Sequence, residues 1–175
     1  MIERPNKLWL PRTGQTVSDV TGDDGYYQRG CPRATRFINN GNNTVTDLAT
    51  GLIWIRDHDA MGSPWNATMT YADLQTYLAT LNGAGYAGRS DWCVPNVREI
   101  HSLCVFDRYG PCMNASDFPN VKDSRYWSCT NGYVVSPPSA NIYAVNVHTG
   151  TIELQGKTSS YYCRLVRGGQ RNANR

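Results

Sequence analysis

The sequence has no apolar run approaching the roughly 18 residues that a membrane-spanning helix needs, so no membrane insertion is expected. Charge is scarce too. Asp, Glu, Lys and Arg make up 18% of residues, the net charge is +3, and the pI is near 8.5. The basic residues are scattered except near the end, at Arg164, Arg167, Arg171 and Arg175. The clustered basic footprint of a nucleic-acid-binding domain is missing, and no such partner is expected. No two cysteines stand in a CxxC spacing, which argues against a zinc ribbon or a thioredoxin-type site. Met1 to Gln15 carries one short apolar patch, around Leu8–Leu10 and interrupted by Pro11, so no signal peptide is expected there. There is no internal repeat.

What is present is a chain of 175 residues, one domain's worth, able to bury about two-thirds of its unfolded surface. Sixteen Gly, nine Pro, eleven Tyr and five Trp describe a loop-rich domain: turns take Gly and Pro, and sheet faces take aromatics. Six Cys, at 31, 93, 104, 112, 129 and 163, leave disulfides and buried thiols both open.

Residues 1–36 read as an irregular segment that wraps the rest, with turn signals at Thr13-Gly14, Asp24-Gly25 and Arg29-Gly30. Residues 37–56 read as paired strands. Phe37-Ile38 leads through Asn39–Asn42 to Thr44–Asp47, and a turn at Thr50-Gly51 leads to Leu52–Ile55. Leu74, Tyr77, Leu78 and Leu81 form one apolar stripe, predicting a helix over 71–82 that Thr70 caps and Asn82-Gly83 stops. A second helix is expected over 97–104. Asn96 and Glu99 make its capping box, and Val97, Ile100, Leu103 and Cys104 its buried face. Strands follow at Tyr126–Thr130, Tyr143–Val147, Thr151–Leu154 and Tyr161–Val166. The expectation is a single α+β domain, 1–175, with two helices and a mostly antiparallel sheet.

An ordered set of segments carries a family likeness. It includes Thr13–Thr16, Gly22–Gly25, Arg36-Phe37, Thr44–Asp47, Thr50–Trp54, Thr70–Asp73, Leu81-Asn82, Gly85-Tyr86 and Asp91-Trp92. It continues with Pro95–Glu99, Phe118-Pro119, Tyr126–Ser128 and Arg164–Gly169. The chain resembles the Lcl C-terminal domain family, the domain that ends a bacterial collagen-like adhesin. The resemblance spans about residues 8 to 170 and implies a C-type-lectin-like fold. It also brings in the variable proteins of diversity-generating retroelements, which share that fold and display a diversified C-terminal surface. The 126–170 segment is similar to such a region.

The chain departs from the family at Cys93, where Arg is common, and at Cys129, where Ser is frequent. If the strands holding Cys129 and Cys163 are neighbours, those two are the first candidates for a bridge. Cys104–Cys112, which closes a short loop with Gly110-Pro111, is the second. Calcium-dependent lectins use Glu-Pro-Asn or Gln-Pro-Asp with Trp-Asn-Asp. Here Val94-Pro95-Asn96 stands instead, there is no Trp-Asn-Asp, and Asn96 reads as a helix cap, so only the fold carries over.

Other candidate chemistry reads as structural. Asp57-His58-Asp59 is a polar loop rather than a metal site, and Asp23-Asp24-Gly25 is a turn without the ligand run of an EF-hand. Of His58, His101 and His148, His101 alone stands one helical turn from a thiol, Cys104, and no catalytic role is expected. Trp54, Trp92 and Trp127 belong to the core, while Arg164 and Arg167 anchor the last strand, against Asp91 or Glu99.

The expected function is non-enzymatic binding of a surface protein or glycan, without cofactor or metal, at a cell surface, outside the cell or on a virion. The candidate surface is Tyr133, Ser136, Asn141, Tyr143, Asn146, His148, Gln155, Lys157, Ser159 and Tyr161. The resemblance also admits a trimeric, sulfated-glycan-binding adhesin domain, and a structural phage or virus tail protein is the other reading. Homo-oligomerisation is compatible with each.

Overall fold

The computed structural model describes residues 10–133 and 140–168. Three strands follow one another as the turn chemistry predicts: β1 (Phe37–Asn39), β2 (Thr44–Asp47) and β3 (Leu52–Ile55). They pair antiparallel, Val45 facing Trp54 and Ile38 facing Thr46. The turn at Thr50-Gly51 is held from Asp47, which accepts from Ala49 N and Thr50 Oγ1.

A second antiparallel sheet holds β4 (Arg125–Asn131), β5 (Asn141–Asn146) and β6 (Thr151–Gly156), in that order. The single sheet expected from the sequence is therefore two. The last expected strand, Tyr161–Val166, is the link. Tyr161 and Tyr162 make isolated bridges to Met69 and Tyr126, and the chain then forms β7 (Val166–Gly168) beside β3. Cys163, Arg164, Leu165 and Val166 are all buried, so the segment is enclosed on both sides and no alternation marks it as a sheet strand.

The helix α1 (Asp24–Tyr27) is a short turn capped by Asp23, within the segment read from sequence as irregular. Residues 10–36 lie along the domain. Phe106 N donates to Thr13 O, and Arg33 Nε meets Asp117 Oδ2 at 2.9 Å. Helix α2 (Tyr71–Gly83) buries Leu74 and Leu81, and Thr70 accepts from Asp73 N. It ends at Gly83, within the expected Asn82-Gly83 stop, and the chain turns away at Gly85, whose φ of 67° needs a left-handed residue. Asn82 brackets Trp92 with its amide, donating to Trp92 O and accepting from Trp92 N, both at 2.9 Å.

Helix α3 (Val97–His101) has the full capping box. Asn96 Oδ1 accepts from Arg98 N and Glu99 N, and Glu99 Oε2 accepts from Asn96 N. Asn96→Ala should cost about 1 kcal/mol, because it strips the acceptor from orphan helix donors. A drop in the urea midpoint would check this, and an unchanged midpoint would show the box to be idle.

Two apolar clusters fill the interior. One joins Trp54 and Val45 to α3, Tyr126 and Val145. The other joins α2 to Trp92, Trp127, Ile142 and Leu165. Trp54, Trp92 and Trp127 are core residues, as expected. Cys104 and Cys112 form a disulfide, with their Cα atoms 4.8 Å apart. No disulfide joins Cys129 to Cys163, which corrects the first of the two expected pairings. The register of β4 shifts between Trp127 and Asn131, leaving Cys129 exposed, whereas Cys163 points into the second cluster, where burial raises its thiol pKa.

Candidate functional site

Pairing register decides which side chains share a face of β4–β6. Arg125, Asn146 and Thr151 lie in one row, with Trp127, Ala144 and Glu153 in the next and Ile142 and Gln155 beyond. The apolar members, Trp127, Ala144 and Ile142, are buried in the second cluster. The polar members border it.

Glu153 is the hub. It accepts from Arg125 Nε at 2.6 Å, Asn146 Nδ2 at 2.8 Å, and Thr151 Oγ1 and Gln155 Nε2 at 3.1 Å. Partial burial works against its charge, but the donors from Asn146, Arg125 and Thr151 outweigh it and hold the carboxyl below its ordinary pKa. Tyr161 joins from outside the sheet, its hydroxyl donating to Gln155 Oε1 at 2.7 Å.

Aromatic rings extend the face. Tyr161 lies edge-on to Trp127, centroids 4.9 Å apart, and Trp127 to Tyr71 at 5.7 Å. The Lys157 ammonium stands 5.7 Å from the Tyr71 ring and the Arg125 guanidinium 5.8 Å from the Tyr161 ring. Trp127 Nε1 donates to Met69 O at 2.8 Å, which fixes the central ring. Burial, with some help from Cys129 and Cys163, raises the Tyr71 pKa to about 12, so its hydroxyl stays protonated.

The face thus offers aromatic surface, amides, hydroxyls and two cations, all on strands or pinned to them. Chemically, such an array can make van der Waals contacts and hydrogen bonds with a ligand. Among the described residues no group of three or more His, Cys, Asp or Glu stands ready for a metal ion.

The candidates named from sequence separate here. Asn146, Gln155, Lys157 and Tyr161 come together. Tyr143 lies on the opposite face, in the row of Leu154, and also lines a groove beside α3. His148, in the turn after β5, is held by Asp123 at 2.6 Å and lies edge-on to the Tyr109 ring, centroids 4.2 Å apart. Asn141 opens β5, and Ser159 sits in the turn after β6. Tyr133, beyond the end of β4, is 88% exposed. Ser136 lies outside the described residues. Sequence reasoning missed Arg125, Glu153 and Tyr71. The alternation Thr151-Ile152-Glu153-Leu154-Gln155 already placed Glu153 beside Gln155 on one face, but nothing local marked Tyr71 as a neighbour.

The other chemistry-bearing residues serve the scaffold. His101 Nε2 lies 2.9 Å from Gly150 O, and the disulfide takes the Cys104 thiol next to it. Arg167 anchors on Asp91 through contacts of 2.7 and 3.1 Å, as expected. Arg164 does not use a carboxylate. Fully buried, it donates to Ile55 O and Arg56 O and meets His58 Nδ1 at 3.1 Å. The end of β3 turns its carbonyls inward there, and they take the Nη1 donors that a carboxylate was expected to hold, while Arg164 Nε finds no hydrogen-bond partner among the described residues.

The model of the Lcl C-terminal domain matches residues 43–167, from just before β2 into β7. The chain belongs to the Lcl C-terminal domain family. The match takes in β2 and β3, the whole β4–β6 sheet with its Glu153 hub, and Arg164, so these parts of the Lcl-type domain lie inside the family's own region. The segment before Asn43, with α1 and β1, lies outside it. No curated protein matches the chain. Among the described residues no helix is long and apolar enough to cross a membrane.

Proposed function

We propose that this Lcl-type domain is a non-enzymatic recognition module, adhesin-like, that binds a surface protein or glycan through the Tyr161–Gln155–Glu153–Arg125 face. The observation that carries the reading is the hydrogen-bonded hub at Glu153, which holds polar and aromatic side chains at fixed positions on a rigid sheet. A preordered face loses little freedom on binding, so contact energy goes into affinity. The scaffold is of the C-type-lectin type on this reading, supported by β7 returning beside β3 so that the two ends of the matched region meet. Asn146, Thr151, Gln155 and Lys157 are then positions at which a diversified surface tolerates replacement, as in retroelement variable proteins. The place of action is a cell surface, the extracellular space or a virion.

Binding of the purified domain to an array of glycans and surface proteins tests this, beside a variant with Asn146, Gln155 and Tyr161 all changed to Ala. The expected result is a hit that the variant loses while its thermal midpoint stays within a few degrees. A hit that the variant keeps would move the site off this face. Loss of the hit with added salt would assign the ligand to sulfated glycans, because exposed charge contacts are screened.

A further inference from the structure

The opposite face of the same sheet carries a separate feature. A groove of about 680 Å³ lies between residues 10–13, α3 and β6. Its walls include Leu10, Phe106, Tyr143 and Ile152. Leu10 is 86% exposed, Phe106 59% and Ile152 44%, and Leu154 continues the apolar row along β6. Large apolar side chains left together in solvent mark an interaction surface.

Two further observations narrow the occupant. Among the described residues, the charged side chains on the groove are Arg12 and Arg98, and no carboxylate lines it. Arg12 bonds only neutral acceptors, Gly30 O and Gln28 Oε1, and among the described residues neither arginine has an ion pair. The groove is therefore apolar with uncompensated positive charge. Then there is the edge: β6 is the outer strand of its sheet, and among the described residues no strand pairs with its outer side. An unpaired edge offers backbone donors and acceptors to an extended chain. A strand added beside β6 would place alternate side chains in line with Ile152 and Leu154, over the groove.

We propose that this groove and the β6 edge bind an extended peptide segment of a partner protein, one that alternates apolar side chains and carries at least one carboxylate. Apolar side chains fill the space between Phe106, Tyr143 and Ile152. The carboxylate meets Arg98 or Arg12. The peptide backbone pairs with β6. The site is independent of the polar face.

A randomised heptapeptide display library, selected on the intact chain and counter-selected on Ile152→Asp, tests the proposal. The expected winners alternate apolar residues and contain Asp or Glu. Synthesised, they bind roughly tenfold more weakly to Ile152→Asp, which loses an apolar anchor, and roughly fivefold more weakly to Arg98→Glu at low salt. Amide exchange across Thr151–Gly156 slows on binding. The triple alanine variant of the polar face binds them unchanged, which keeps failure here distinct from failure there. The proposal is overturned by no enrichment over the counter-selection, by winners without acidic residues, or by unchanged exchange in β6. Self-association of the chain that Ile152→Asp abolishes would make the occupant a second copy. Displacement by a synthetic peptide of residues 1–9 would make it this chain's own segment.

Discussion

Changing Asp47 to Ala should lower the stability of this domain by about 3–5 kcal/mol, the cost of stranding a buried charge. Arg36 and Asp47 meet in a two-pronged pair, Nε to Oδ1 at 2.8 Å and Nη2 to Oδ2 at 2.7 Å, with both side chains almost wholly out of solvent. The remaining donors of Arg36 reach Ser102 O at 2.8 Å and Ser102 Oγ at 3.3 Å, just past α3. Asp47 meanwhile holds the turn between β2 and β3. One pair thus fastens the first sheet to the end of α3. Alanine removes the carboxylate and leaves the guanidinium buried with one carbonyl and one hydroxyl acceptor, both of Ser102, and no counter-charge. Since domains of this kind hold about 5–15 kcal/mol in all, the loss is a large part of the total. Urea unfolding reads it directly. Changing both residues, Arg36→Met with Asp47→Leu, should cost clearly less than Asp47→Ala alone, because no charge is then stranded. A loss below about 1 kcal/mol in the single variant would show that water reaches Arg36 and that the pair is not the fastening it looks like.

The Arg36–Asp47 pair also shows what a sequence can and cannot display. Thr44–Asp47 and Thr50–Ile55 are legible as strands and a turn, because alternation and the Gly at 51 are local signals. So are the caps at Thr70 and Asn96, whose side chains act within a few residues. The division into two sheets is not legible. It depends on where 161–168 crosses between them, and the middle of that segment, 163–166, is buried on both sides, so no period marks it. The binding candidates divide for a related reason. In strands, residues of odd and even position face opposite ways, so Tyr143 and Asn146, three apart in β5, cannot share a face. Tyr71 is remote in sequence from every other member of the face, and only the packing of α2 beneath Trp127 brings it there. Arg164 is recognisable as an anchor but its partners are not, because backbone carbonyls leave no trace in side-chain identity.

Arg164 leads to the second large effect, a loss of stability in mild acid that runs through His58. This imidazole is 1% exposed, and its Nδ1 faces Arg164 Nη2, which only donates. His58 must therefore accept at Nδ1 and carry its proton on Nε2, which lies 3.5 Å from Asp59 Oδ1. Protonating Nδ1 would set one donor against another inside the protein. Burial first, and then the Arg164 charge, push the His58 pKa from 6.5 to about 4, although Asp59 and Asp57 pull the other way and Lys122 adds to the fall. A depressed basic group loses stability on the acid side. Above pH 6.5 the ring is neutral whether the chain is folded or not, and it contributes no pH dependence. Between 6.5 and about 4 the unfolded chain takes up a proton that the folded one refuses, so unfolding gains, and by pH 4 the loss approaches about 3 kcal/mol. Depressed carboxyls such as Asp91 and Glu153 add their own losses at lower pH, so the His58 share has to be isolated. His58→Asn does this, since Asn Oδ1 can accept from Arg164 where Nδ1 did and does not titrate. Urea unfolding at intervals from pH 4 to 8 should give curves that run parallel above 6.5 and converge below it, with the wild type falling more steeply. Parallel curves over the whole range would mean that the folded domain protonates His58 freely, and that Arg164 does not depend on accepting by His58 Nδ1.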